Sequence, residues 1–202
     1  MLDKSIPYKN ILMKCSQINE DAMTSLPPGF SFKFYEDGDE KLWADIEIAI
    51  GEFVYMTTEE VEDYFRKEYF DKKNKLYERC LFVLDDNKNP VGTCMAWYDL
   101  KDNHYIPSIH WIAVNPKIQA NGIGRALLTE TMKIFMKNNE TPVYLHTQPW
   151  SYKAIKLYLD FGFYAMTNET VSNFVNEYND AKFILKDYLT TEYYETFINT
   201  AK

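Results

Sequence analysis

The segment Ser108–Met132, SIHWIAVNPKIQANGIGRALLTETM, limits what this chain can fold into more than any other. Ile109, His110, Trp111, Ile112, Ala113 and Val114 form a short apolar, partly aromatic run of strand type. Pro116 cannot extend a strand's hydrogen-bond ladder, so the strand is expected to end near Asn115. Gln119, Ala120, Asn121, Gly122, Ile123 and Gly124 follow as a loop rich in small residues. From Arg125 onward, Ala126, Leu127, Leu128, Met132, Ile134, Phe135 and Met136 fall close to helical spacing. A loop of this kind, opening into a helix, presents backbone N–H groups and the positive end of a helix dipole. That is an anion site, and a pyrophosphate suits it. The plainer alternative is a tight turn before a helix, and a bare Gly-x-Gly does not separate the two.

Two common phosphate loops do not fit. No segment reads Gly-x-x-x-x-Gly-Lys-Ser/Thr, and the third glycine of Gly-x-Gly-x-x-Gly is replaced by Leu127. The surroundings are more specific. Gln119-x-x-Gly122-x-Gly124 resembles the Gln/Arg-x-x-Gly-x-Gly/Ala loop of the GCN5-related N-acetyltransferase superfamily. Ile112-Ala113-Val114-Asn115-Pro116 resembles that family's fourth strand and its exit. Ser151-Tyr152-Lys153-Ala154-Ile155-Lys156-Leu157-Tyr158, followed by Phe161-Gly162-Phe163, resembles its next helix. The resemblance covers about Ser108–Tyr164. It implies an α/β fold of α+β type, a mixed and mostly antiparallel sheet flanked by helices. It also implies acetyl-CoA as cofactor and acyl transfer to an amine, without saying which amine.

Composition closes off other classes. A chain of 202 residues fits one domain, or one with an extension. The formal net charge is -8 and no Lys/Arg run is present, which argues against a nucleic-acid partner. Cys15, Cys80 and Cys94 are odd in number and far apart, so neither a disulfide framework nor a zinc site is expected. MLDKSIPYKN lacks the apolar core of a secretion signal and no run reaches membrane length, so a cytoplasmic protein without membrane contact is expected. Aromatic residues are abundant at 16%, which suits either an aromatic-rich core or an apolar substrate channel.

Leu26-Pro27-Pro28-Gly29 is a strong breaker. It divides an N-terminal arm, residues 1–29, from a single domain over 30–202. Phe30–Tyr35 reads as the first strand, Glu40–Ile50 as a helix, and Thr57-Thr58-Glu59-Glu60 as the start of another through Val61, Tyr64, Phe65 and Tyr69. Leu81–Leu84 and Val91–Tyr98 read as a hairpin, and Asp99–Pro107 as a polar loop. Val143–Thr147 is a further strand. Phe163–Met166 and Lys182–Leu185 are expected to be the last two, with a tail over Asp187–Ala201 that is helical or loosely attached.

Amine acylation by a thioester needs the thioester held, its carbonyl polarised, the amine deprotonated and the leaving thiolate protonated. The resemblance assigns the holding to Gln119, Ala120, Asn121, Gly122, Ile123, Gly124, Arg125 and Ala126. The resemblance further implies that the strand backbone at Ile112, Ala113 and Val114 pairs with the pantetheine arm and that Ser151, Ala154 and Tyr158 contribute from the next helix. Tyr158 is the candidate general acid, since a phenol with a pKa of ~10 suits a departing thiolate; the alternative is a ring packed beside the cofactor. In strand alternation Ser108, His110, Ile112 and Val114 share one face. Histone-type members of the family carry Glu at the position of Ser108, which this chain lacks. Arylalkylamine-type members carry His at the positions of Ser108 and His110, and His110 retains one. An imidazole titrating near ~6.5 is a candidate base; the alternative is a satisfied core histidine. Glu47 and Glu52, in the acceptor region, are further candidates.

The leading reading is therefore an acetyl-CoA-dependent N-acetyltransferase acting on a primary amine of a small molecule or peptide, with a homodimer compatible with it. The competing reading is a non-catalytic acyl-CoA-binding or sensing domain, which needs Gln119–Gly124 but neither His110 nor Tyr158. A third makes the N-terminal arm a partner surface.

Overall fold

Short apolar runs separated by polar turns build a sheet, and amphipathic stretches between them build helices. The computed structural model describes residues 2–202. In chain order the elements are β1 (Ile11–Cys15), β2 (Phe30–Phe34), α1 (Glu40–Ile50), α2 (Thr58–Tyr69), α3 (Lys73–Arg79), β3 (Cys80–Asp85), β4 (Pro90–Lys101), β5 (His104–Val114), α4 (Ile123–Lys137), β6 (Val143–Thr147), α5 (Tyr152–Asp160), β7 (Tyr164–Ala165), α6 (Tyr178–Leu185) and α7 (Thr191–Thr200). Among the described residues seven strands form one sheet in the order β2-β3-β4-β5-β6-β1-β7. β5 and β6 are parallel, through Ser108↔Tyr144 and Ile109↔Leu145, whereas β2·β3, β3·β4, β1·β6 and β1·β7 are antiparallel. This is the mixed, mostly antiparallel sheet expected from the sequence.

The chain divides into two units. The first comprises Leu2, Thr24–Trp97 and His110–Ile134; the second comprises Asp3–Met23, Tyr98–Ile109 and Phe135–Lys202. In the first unit α1 and α2 bury Trp43, Ala44, Ile46, Val61, Phe65 and Tyr69 against Phe82, Met95, Trp97 and Ala113 of the sheet. α1 stops at Gly51, whose φ of 91° takes the left-handed turn that closes a helix, its N–H donating to the carbonyls of Glu47 and Ile48. α2 starts on a reciprocal cap: Thr57 Oγ1 accepts from the Glu60 N–H (3.3 Å) while the Glu60 carboxylate accepts from the Thr57 N–H (2.8 Å). Gly92 of β4 leaves room for α4, since a Cβ there would lie 2.9 Å from Leu127 Cδ1 and 3.1 Å from the Ala113 carbonyl.

In the second unit Leu12, Tyr144, Met166 and Val171 form a smaller core. Gly162 follows α5 at φ 90°, and a Cβ there would sit 2.8 Å from the Gln17 carbonyl. The Phe161-Gly162-Phe163 spacing is thus required by backbone contact with residues 17–19. Phe161 O accepts from Asn19 N–H (3.0 Å), and Asn19 Nδ2 donates to Asp160 O (2.8 Å).

Several expectations are corrected. The N-terminal arm, of which Met1 lies outside the described residues, supplies β1 to the sheet. Ile11, Leu12, Met13 and Cys15 are all buried, so both faces are covered and no period-two alternation marks the strand. Phe30–Phe34 is consequently the second strand. Asp99–Pro107 is not a polar loop: β4 and β5 meet at Asp102 (φ 49°) and Asn103 (φ 63°), a two-residue turn of the left-handed hairpin kind. Lys182–Leu185 belongs to helix α6, whose Tyr178, Ala181 and Leu185 are buried at helical spacing. The tail, by contrast, takes the helical of its two expected forms as α7, which buries Phe197.

Candidate active site

The loop singled out by sequence lies in the first unit and links β5 to α4. Asn115 caps a single 3-10 turn by accepting from the Lys117 N–H (3.0 Å), and its own N–H donates to the Val91 carbonyl (2.8 Å). Gln119 Nε2 donates back to Val114 O (3.0 Å), and Asn121 Nδ2 to Ile118 O (3.2 Å). Ala120 (φ 70°) and Gly122 (φ 80°) take left-handed conformations that turn the chain into α4. Gln119, Ala120, Asn121 and Gly122 are exposed; Ile123 and Ala126 are buried and anchor the helix. The first intrahelical bond runs from Ala126 N–H to Gly122 O (3.0 Å). N–H groups before such a bond have no intrahelical acceptor, and the dipole of a 15-residue helix adds to them.

Upstream, β5 is not a regular strand. Trp111 has φ 52°, a left-handed conformation for a bulky residue inside a strand. Consecutive strand residues normally face opposite sides of a sheet. Here His110 and Trp111 converge on one atom: Trp111 Nε1–H donates to Tyr69 Oη (2.7 Å), and Tyr69 Oη lies 3.0 Å from His110 Nδ1. The expected alternation of Ser108, His110, Ile112 and Val114 therefore does not run through Trp111. Indole N–H is a donor only, so it takes one lone pair of the phenol. With Nδ1–H donating to the other lone pair, Nε2 is the basic nitrogen. With the phenol donating to Nδ1, Nε2 carries the hydrogen. Burial holds Tyr69 ionisation well above the usual phenol range, so the phenol keeps its proton in either arrangement.

Around this contact Trp43 meets Phe65 (5.1 Å), Trp111 (5.3 Å, edge-on), Phe53 (5.7 Å) and Tyr64 (6.2 Å, stacked). Glu47, one turn beyond Trp43 on α1, is 1% exposed. Its carboxyl is pushed well up, by burial first and then by the charge of Glu52. Burial also raises Tyr64, to about 12, with Glu68, Glu52 and Glu47 adding to it.

The remaining sequence candidates lie in the second unit. Ser108 is fully buried and donates to Asp99 Oδ2 (2.6 Å). Ser151 precedes α5 and accepts from Gln148 Nε2 (3.1 Å), and Ala154 is half-buried. Tyr158 is buried on α5, its ring 5.8 Å from Phe163. Thus the structure brings Ile112–Ala126 and His110 into one unit, and Ser151, Ala154 and Tyr158 into the other.

The family model described as the Acetyltransferase (GNAT) family matches residues 31–163. The chain belongs to this family. Its fold is similar to that of a GCN5-related N-acetyltransferase from Sphaerobacter thermophilus (19% identity, TM-score 0.54), over 70% of this chain and 43% of that one. It is also similar to a Trypanosoma brucei acetyltransferase (16% identity, TM-score 0.52), over 70% of this chain and 96% of the other. The chain thus spans less than half of the Sphaerobacter protein and nearly all of the trypanosome one. A search of curated proteins gave no match.

The acetyl donor of a GNAT enzyme is acetyl-CoA. The exposed turn through Ala120 and Gly122, ending in the N-terminus of α4, is a donor set that fits its pyrophosphate. Among the described residues no His, Cys, Asp and Glu group is arranged to hold a metal, and no helix is long and apolar enough to cross a membrane.

Sequence reasoning did not single out Tyr69, Trp111 and Trp43, which the structure links to His110 and to one another. The sequence reads as a helix through Val61, Tyr64, Phe65 and Tyr69, of which the structure buries Val61, Phe65 and Tyr69. Nothing in the spacing showed that the last of these carries a hydroxyl between an indole and an imidazole.

Proposed function

We propose that this GNAT protein transfers an acetyl group from acetyl-CoA to a primary amine of a small molecule or peptide. The observation that carries the reading is the Gln119–Gly124 turn opening α4 within a family-matched domain. Backbone N–H groups of that turn, with Arg125 and Ala126, hold the pyrophosphate. The backbone of Ile112, Ala113 and Val114 pairs with the amide-rich arm as a strand would, and Ser151 and Ala154 contribute from α5. When bound, the cofactor supplies an acetyl thioester open to attack by an uncharged amine. His110 accepts the amine's proton at Nε2, in the tautomer whose Nδ1–H donates to Tyr69; the Tyr69–Trp111 hydrogen bond fixes that partner in place. Tyr158 holds at Oη the proton that the leaving group requires.

The three cysteines are buried free thiols, with Cys15 pushed up to about 11 and Cys94 to about 12 by burial. Such unreactive thiols support a cytoplasmic setting.

Calorimetry with acetyl-CoA and CoA, followed by free-thiol release across primary amines, tests the reading. Saturable binding with amine-dependent release is the expected result. Binding without release from any amine would instead favour an acyl-CoA sensor, and absence of binding by folded protein would remove the phosphate-loop assignment.

A further inference from the structure

α1 carries two buried carboxyls with opposite treatment. Glu40, at its start, accepts from Tyr35 Oη (2.9 Å) and Arg66 Nε (3.0 Å). Burial works to raise it, yet its own backbone N–H, Tyr35 and Arg66 together hold it below the ordinary carboxylate value. Glu47, two turns on, is more deeply buried, and its Oε1 has no hydrogen-bond partner among the described residues. One turn before it, the indole Nε1 of fully buried Trp43 is likewise without a partner. An acceptor and a donor are thus both left unmade on one stretch of one helix, an arrangement that native cores avoid.

What surrounds them reaches the surface. Phe53, Tyr64 and Trp111, the rings against Trp43, are each only partly buried, and they also touch one another at 5.3, 5.7 and 6.1 Å. The turn that carries Phe53 continues into Val54, Tyr55 and Met56, which are 54%, 99% and 37% exposed. Three consecutive exposed apolar side chains, directly following a ring that packs on Trp43, are out of place on a solvated turn and in place on a ligand-gripping one.

The missing partner can be specified chemically. A group completing Glu47 Oε1 must hydrogen-bond to it; burial and the Glu52 charge favour the protonated carboxyl until a cation arrives beside it, and the same Glu52 charge repels an anion and favours that cation. Aromatic faces accept a cation as well as an apolar body. We propose that Glu47, one turn along α1 from Trp43 and its ring cluster of Phe53, Tyr64 and Trp111, is the recognition group for the acceptor substrate, pairing as the carboxylate with the ammonium of an amine carried on an apolar, ring-sized body. Trp43 Nε1–H is then the spare donor for an oxygen on the same molecule. The inference rests on the N-acetyltransferase reading for what the amine is used for, but its binding can be measured without turnover.

The test uses 2-phenylethylamine and its uncharged counterpart 2-phenylethanol as probes on the full chain, with binding read by tryptophan fluorescence. Wild-type protein is expected to prefer the amine by at least about tenfold, as a charge-assisted hydrogen bond to a buried carboxylate would give. Glu47→Gln and Glu47→Met are each expected to abolish that preference while leaving the affinity for acetyl-CoA and for the alcohol unchanged; the acetyl-CoA affinity reports an intact fold. Equal wild-type affinity for the two probes, or no binding of either, overturns the proposal before any variant is made. So does an amine preference that survives in the variants. Free-thiol release by wild type with 2-phenylethylamine separates the two readings. Glu47-dependent amine binding without release leaves Glu47 as the recognition group and removes the transferase reading. Release that is indifferent to Glu47 does the reverse.

Discussion

Replacing Glu47 by glutamine changes one oxygen for an amide at a position 1% exposed to solvent, and its effect on stability is a function of pH. Burial and the neighbouring Glu52 raise the Glu47 carboxyl well above its ordinary value of 4.5. The folded protein therefore holds this proton more tightly than the unfolded chain does. The stability that follows is fully present below the ordinary carboxyl range and is lost as pH rises through the folded-state value. Glutamine has no proton to lose. The variant's stability relative to wild type should be constant at low pH and should then climb by about 1.4 kcal/mol for each pH unit above the carboxyl range, until the folded-state value is passed. For a chain of this size each kcal/mol moves Tm by about 2–4 °C, so one pH unit opens a gap of about 3–6 °C in favour of the variant. Asp45, which burial also raises, and Glu177, which its hydrogen bond from Lys9 lowers, titrate in both proteins and cancel in the difference. Thermal melts of both proteins from pH 4 to 8 (about four units, centred above the carboxyl range) provide the assay. A gap that stays constant, or that narrows as pH rises, would mean that Glu47 is ionised and partnered in the folded protein, and the reasoning would fail.

Three further outcomes are expected. Gly124→Val places a branched side chain in the first turn of α4; CoA affinity measured by calorimetry should fall at least about tenfold with no loss of Tm, since glycine is no better a helix former there than valine and is the poorer by a few tenths of a kcal/mol. Tyr158→Phe keeps the ring against Phe163, so steady-state kinetics should show kcat down by about 10²-fold with CoA affinity unchanged; wild-type rates would remove its role as acid. Tyr69→Phe strips the shared partner from Trp111 Nε1 and His110 Nδ1, so denaturant melts should show a loss of about 1–3 kcal/mol and the acidic limb of the rate profile should move, whereas Tyr64→Phe should leave that limb in place.

The Gln119–Gly124 turn was legible because its geometry is mostly backbone geometry, and backbone geometry is written in glycines, capping residues and proline. Gln119, Gly122 and Pro116 each mark a local geometry that does not depend on the rest of the fold. The capping box at Thr57 and Glu60 was legible for the same reason. β1 was not, because a strand buried on both faces has no alternation to read. The short β4–β5 turn was hidden because Asp102 and Asn103 sit among other polar residues, and a two-residue hairpin needs no glycine when Asn and Asp tolerate left-handed backbone. Convergence of His110 and Trp111 on Tyr69 was beyond the sequence altogether. It depends on one left-handed residue in a strand, and tryptophan gives no local sign that it will adopt that conformation.

That residue connects the strain in β5 with the unmade hydrogen bonds of α1. A left-handed tryptophan costs on the order of 1–3 kcal/mol, and it is held here by its hydrogen bond to Tyr69 and its edge-on contact with Trp43. Trp43 in turn is one of two buried side chains on α1 with an unpartnered polar atom, Glu47 being the other. A core shaped for stability alone would carry a methionine or leucine at position 47 and an alternating strand at 111, and it would gain at both. The costs instead fall on residues that touch one another in a chain, from Trp111 through Trp43 to the helix turn bearing Glu47. Concentrated strain of this kind is what a site built to receive a ligand requires, because the ligand, and not the protein, supplies the last partner.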